Sequence, residues 1–215
     1  HNGGWLRREG VGSFSPQQMY EVKTDEDGVT LCAPTARIAH KGDTLGGINL
    51  TLRISAPMEG VLRIQTFHHK GVTKKKPEFE LHFSGIRPEI VQEGETLTIK
   101  SGALALVIDI EHFSMRFERE GRLLTKAGAQ ELAYIKEDWK GFAYDKGDKA
   151  WLCQQLGLSV DELIYGLGER FTPFVKNGQS VSIWNEDGGT STEQSYKREY
   201  FYRTARYSYR RLRYR

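Results

Sequence analysis

A chain of 215 residues has room for one large all-β domain or two small ones, and its 38% hydrophobic content can bury a real core at that length. With 23 glycines and 11% Phe, Tyr and Trp, the composition favours strands and tight turns over helices. A formal net charge of +3 implies no polyanionic partner, and no stretch approaches the roughly 20 apolar residues that a bilayer-spanning helix needs.

The charge is uneven. Residues 198–215 are crowded with Arg, and the remainder of the chain is acidic. Cys32 and Cys153 lie far apart in sequence and read as two reduced, partly buried thiols of a cytoplasmic protein, with a disulfide between them as the alternative. The opening HNGGW has neither Met nor the apolar run of a leader, and reads as a scar or its remnant.

Period-two patterns run through the first two thirds. MYEVKT and VTLCA flank Asp25-Glu26-Asp27-Gly28, a hairpin signal. In INLTLRIS, Ile48, Leu50, Leu52 and Ile54 share one face. Pro57 and Gly60 punctuate the turn before VLRIQTF, and the basic loop HHKGVTKKK follows. FELHF sets Phe79, Leu81 and Phe83 inward. TLTIKSG precedes LALVIDI, where Leu104, Leu106, Ile108 and Ile110 are in register. Phe113, Met115 and Phe117 share a face of FSMRFER, and Gly121 turns the chain into RLLT. GAQELAYIKEDW, residues 128–139, is the one ambiguous segment and the one candidate helix. Short strands at this spacing predict an all-β, antiparallel sandwich with no internal repeat.

Candidate chemistry is sparse. His68 and His69 are adjacent and point to opposite faces of a strand, while His40, His82 and His112 are isolated. Satisfied or solvated imidazoles account for them better than a metal, and no cofactor is implied. Lys74-Lys75-Lys76 reads as a solvated run rather than a phosphate site. YGLGERF lacks both the dinucleotide spacing and a following helix pattern. Glu186 and Asp187 invite a glycosidase reading, in which retaining enzymes hold two carboxyls about 5–5.5 Å apart. Adjacent residues in extended chain diverge, so the pair suits binding better than acid and nucleophile. Asp187 can accept hydrogen bonds from vicinal hydroxyls and Trp184 can stack on a sugar face. A polar turn built from Asn185, Asp187, Gly188 and Gly189 explains the residues equally simply, and the residues alone favour it.

A longer likeness bears on that choice. The run IYGLGERFTPFVKNGQSVSIWNEDGGTSTEQSYK, Ile164–Lys197, resembles the N-terminal domain of glycoside hydrolase family 31, and most of all its bacterial α-xylosidases. Weaker likeness reaches upstream through SPQQMYEV, LRISAPMEGVLRIQTFHH and LTIKSGALALVI, so that it covers most of residues 5–197. The resemblance implies a large sandwich of the galactose-mutarotase-like type preceding a (β/α)₈ barrel that carries two catalytic aspartates. It implies a retaining, exo-acting α-glycosidase acting on an α-xyloside or α-glucoside. In that setting the loop 182–197 reaches the barrel's mouth and Asp187 contacts substrate, with Trp184, Asn185 and Glu186 beside it. The barrel and its aspartates are not in these 215 residues, so the expectation is a non-catalytic sandwich domain, residues 1–197, whose loop lacks its partner and is mobile. A free-standing carbohydrate-binding module is the alternative.

In the Arg/Tyr-rich segment 198–215, Phe201, Tyr202 and Thr204 still fit the family pattern, and the rest departs from it. Arg203, Arg206, Arg210, Arg211, Arg213 and Arg215 alternate with Tyr207, Tyr209 and Tyr214. The segment reads first as an exposed edge strand, second as an altered terminus, and last as an Arg/Tyr binder of nucleic acid, for which no fold signature is present. The sequence leaves assembly into homo-oligomers open.

Overall fold

A computed structural model describes residues 10–68, 84–137, 149–166, 173–179 and 207–212. Its strands, in chain order, are β1 (Val11–Phe14), β2 (Glu21–Asp25), β3 (Gly28–Pro34), β4 (Asn49–Met58), β5 (Val61–Phe67), β6 (Glu89–Glu93) and β7 (Thr96–Ser101), then β8 (Leu104–Asp109), β9 (Ser114–Arg119), β10 (Arg122–Ala127), β11 (Leu132–Glu137), β12 (Lys149–Gly157) and β13 (Tyr207–Leu212). A short 3-10 turn, Lys41–Leu45, lies between β3 and β4.

Three antiparallel sheets result, in the orders β2-β3-β4-β5, β10-β9-β8-β7-β6 and β1-β11-β12-β13. The first two enclose the core, because alternation places one apolar set from each strand between them. Val29, Leu31 and Ala33 come from β3, and Leu50, Leu52 and Ile54 from β4. Leu97, Ile99, Leu106, Ile108 and Met115 answer from β7, β8 and β9. Burying each large aliphatic side chain contributes about 1.5–3 kcal/mol. The all-β sandwich expected from the sequence is the observed fold, and the Asp25–Gly28 hairpin joins β2 to β3 in register, Asp25 opposite Gly28.

The third sheet is joined to the second. The Thr125 hydroxyl of β10 donates to the Gly157 carbonyl of β12 at 2.8 Å. Leu132 of β11 belongs to the core cluster, and Tyr134 and Leu152 pack against it. The His68 ring, beyond β5, lies 4.3 Å from that of Tyr134 and so ties the first sheet to the third.

The candidate helix at residues 128–139 is incorrect: residues 132–137 are β11, paired with β1 on one side and β12 on the other. Leu132 and Ala133 are both buried and Tyr134 and Ile135 both half-buried, so both faces of the strand are covered. A strand covered on both faces shows no period of two, and two backbone ladders outweigh the helix preference of Leu, Ala, Lys and Glu. The sequence expectations also omit β1, β6 and β12. Strand β1 has four residues, and along β6 only Ile90 packs against the core. In β12, Trp151 and Gln155 are buried while Leu152 packs on the core from the opposite face, again without clean alternation. Strand β13 pairs with β12 from Leu152↔Leu212 to Gly157↔Tyr207 and ends the sheet order, as an edge strand does. FELHF and Lys74-Lys75-Lys76 lie outside the described residues.

One polar contact braces the hairpin and carries a pH prediction. The Arg53 guanidinium forks onto Asp25, with contacts of 2.6 Å to Oδ2 and 2.7 Å to Oδ1. The hydrogen bonds from Arg53 hold the Asp25 carboxyl below its ordinary value of 3.8. A lowered carboxylate pKa stabilises the fold above the ordinary value, and that contribution is lost as pH falls through the lowered one. Asp25→Asn is therefore expected to narrow the stability gap between neutral pH and acid below 3.8. Urea unfolding across that range checks it; a gap as wide as the parent's means that the fork contributes nothing.

Candidate functional site

The stretch that carries the family likeness begins after β12. After β12 no further residue joins the core cluster among those described, and the described residues 162–166 and 173–179 are joined to each other by hydrogen bonds. These two arms lie side by side. The Lys176 amide donates to the Ile164 carbonyl at 2.8 Å. The Asn177 side chain bridges the arms in both directions: Nδ2 donates to the Glu162 carbonyl at 2.8 Å, and Oδ1 accepts from the Ile164 amide at 2.7 Å. A primary amide matches a peptide group donor for acceptor, so this side chain stands in for a strand neighbour.

Residues Lys176–Gln179 form a tight turn, closed by the Gln179 amide donating to the Lys176 carbonyl at 3.1 Å. Gly178 sits at the third position with φ of 70°, which glycine adopts without the steric cost other residues meet. Gln179 Nε2 donates to the Val175 carbonyl at 2.7 Å. Lys176 is 8% exposed, and its ammonium donates to the Pro173 carbonyl at 2.7 Å. The rings of Tyr165 and Phe174 stand 5.1 Å apart and tilted, an apolar contact on an otherwise polar scaffold.

Of the predicted site residues, Trp184, Asn185, Glu186 and Asp187 lie outside the described residues, as does the whole of the loop 182–197 and the mobility expected of it. The described part is the platform before the loop, and the sequence reading gave no role to Asn177 or Lys176. The signal was present: Asn-Gly is a turn dipeptide, and here the Asn serves as a bridge as well.

Among the described residues, the imidazoles of His68 and His40 have local partners. His68 Nδ1 lies 3.2 Å from the Asn49 carbonyl, and His40 Nε2 is 3.4 Å from Asp43. The His112 amide is held by Asp109 Oδ1 at 2.9 Å. His69 and His82 lie outside the described residues. Among the described residues no three His, Cys, Asp or Glu side chains converge as a metal site, and no helix is long and apolar enough to cross a membrane. Cys32 and Cys153 are both half-buried and stand on different sheets.

The family model of the glycosyl hydrolase 31 N-terminal galactose mutarotase-like domain matches residues 51–206. The chain belongs to this family. The glycosyl hydrolase 31 domain is 35% identical over 205 residues to an alpha-xylosidase of Lactiplantibacillus pentosus, covering 94% of this chain and 26% of that protein. It is 36% identical over 216 residues to an alpha-xylosidase of Emericella nidulans, covering 93% and 27%. The chain thus spans about a quarter of the length of these relatives. Among solved structures, the cycloalternan-forming enzyme of Listeria monocytogenes aligns with a TM-score of 0.59 at 18% identity, over 86% of this chain and 16% of that one. A GH31 dextranase of Flavobacterium johnsoniae aligns at 0.54 and 17%, over 80% and 19%. At those identities the likeness shows the fold.

Proposed function

We propose that this domain serves a retaining, exo-acting α-glycosidase of the α-xylosidase type, packing on a catalytic barrel and lending it the loop 182–197. The observation that carries this reading is the identity of 35–36% to alpha-xylosidases along nearly the whole chain. In such an enzyme two carboxyl groups of the barrel perform the glycosyl transfer and hydrolysis. The chain's own contribution is to bind and orient the sugar: Asp187 accepts hydrogen bonds from substrate hydroxyls, with Trp184, Asn185 and Glu186 shaping the loop around it. The substrate class is an α-xyloside or α-glucoside. The two half-buried cysteines on separate sheets support a reducing, cytoplasmic setting.

Hydrogen bonds from sugar hydroxyls to an ionised carboxylate contribute about 1.5–3 kcal/mol. Asp187→Ala in the full-length enzyme is therefore expected to raise KM for an aryl α-xyloside by about tenfold or more. Unchanged kinetics would remove Asp187 from the site. Calorimetry of the 215-residue chain with xylosides and glucosides is expected to show no binding. Measurable affinity there would favour a free-standing carbohydrate-binding module instead.

A further inference from the structure

We infer that Asn177 is a positioning residue for the substrate loop, acting as the clamp that fixes where the loop leaves the sandwich. The inference rests on the reading of Asp187 as a substrate contact. Three observations converge on Asn177. Its amide joins Glu162 and Ile164 to the opposite arm through two short hydrogen bonds, of 2.8 and 2.7 Å. It occupies the second position of the turn Lys176–Gln179, whose last residue hands the chain on toward Trp184 and Asp187. And it follows Lys176, whose amide donates to the Ile164 carbonyl at 2.8 Å, so the side-chain bridge extends a backbone contact between the same two arms.

A loop that must place one carboxylate against a sugar needs its base fixed. Reorienting the chain at the base swings the tip, and misplacement by about 1 Å can cost as much as about a hundredfold in rate. The Asn177 bridge supplies that fixity because its two hydrogen bonds run in opposite senses, and the side-chain amide carries the donor and the acceptor on separate atoms that reach both arms. Aspartate at this position would keep an acceptor for the Ile164 amide but would set a carboxylate oxygen against the Glu162 carbonyl. Alanine would remove both bonds.

The test is steady-state kinetics of the full-length enzyme that carries this domain, with an aryl α-xyloside, on Asn177→Ala, Asn177→Asp, Asp187→Ala and the Asn177→Ala/Asp187→Ala double variant. Asn177→Ala is expected to raise KM about fivefold with kcat little changed, and Asn177→Asp not to restore it. In the double variant the Asn177 effect should vanish, since a clamp that works only through the Asp187 loop has nothing left to position. A purely structural role would persist in the double variant and overturn the inference. So would a normal KM for Asn177→Ala beside a raised KM for Asp187→Ala, which leaves the substrate reading intact. A silent Asp187→Ala defeats the substrate reading and the inference with it. Hydrogen exchange on the 215-residue chain gives an independent measure. The Ile164 amide should exchange faster in Asn177→Ala than in the parent, and equal rates would overturn the clamp itself.

Discussion

Alanine at position 28 is expected to destabilise the chain by about 3 kcal/mol or more. Gly28 opens β3 opposite both Asp25 of β2 and Ser55 of β4. A Cβ placed there would stand 2.0 Å from the Ile54 carbonyl oxygen, and φ at this position is +152°. The obstacle is backbone in the next strand, so no rotamer change relieves it. Either β3 separates from β4 or the hairpin shifts, and both moves disturb Val29 and Ile54, which are fully buried. Gly60 is the matched comparison: its φ is +73°, yet a Cβ there meets nothing within 4 Å. Gly60→Ala should therefore cost only the left-handed strain, about 1–2 kcal/mol. Urea unfolding of both variants decides the matter. Equal losses would mean that close packing at Gly28 adds nothing to its backbone angle.

That hairpin was legible in the sequence because turn chemistry and alternation agree there. Asp25-Glu26-Asp27-Gly28 separates two runs whose inward residues Leu31 and Ala33 alternate with less buried ones. The same logic found the inward faces of β4, β8 and β9. It failed wherever a strand is not half-buried. Strand β11 is covered on both faces and its sequence is ambiguous with a helix, and β6 exposes all but Ile90 and gives no signal. Period-two reasoning detects a strand with one wet face, and a sandwich with a third sheet contains others.

The site was legible in a different way. Composition and geometry argued only that Glu186 and Asp187 do not form a catalytic pair, and preferred a polar turn. Asp187 gained a role from the likeness of residues 164–197 to a family. Physical reasoning could not supply it, because under the proposed function the loop serves a neighbouring domain whose residues are not in this sequence. The Asn177 bridge was out of reach for a related reason. An Asn-Gly pair announces a turn, but which backbone groups the side chain meets depends on residues 162–164, thirteen and more positions away.

Phe113 combines a correct expectation with a conformation that the sequence does not announce. It was placed inward with Met115 and Phe117 by alternation, and it is fully buried. Yet β9 begins only at Ser114, and Phe113 has φ of 32°, a region that bulky residues rarely enter. The turn that holds it is fixed on both sides. The Ile110 amide donates to the Glu95 carbonyl at 2.8 Å, the Met19 amide to the Ile110 carbonyl at 2.7 Å, and the His112 amide to Asp109 Oδ1 at 2.9 Å. Ring burial therefore offsets a strained backbone. Removing the ring in Phe113→Ala leaves the strain, since alanine keeps its Cβ, and forfeits the packing. The expected loss is about 3–5 kcal/mol. Phe113→Gly also loses the ring but relieves about 1–2 kcal/mol of left-handed strain. Glycine should thus be no worse than alanine here, although elsewhere in a strand it is worse by about 0.5–1 kcal/mol. Thermal and urea unfolding of the two variants test this ordering. If Phe113→Gly falls below Phe113→Ala by the usual margin, the backbone at Phe113 is unstrained and ring packing alone sets its energetics.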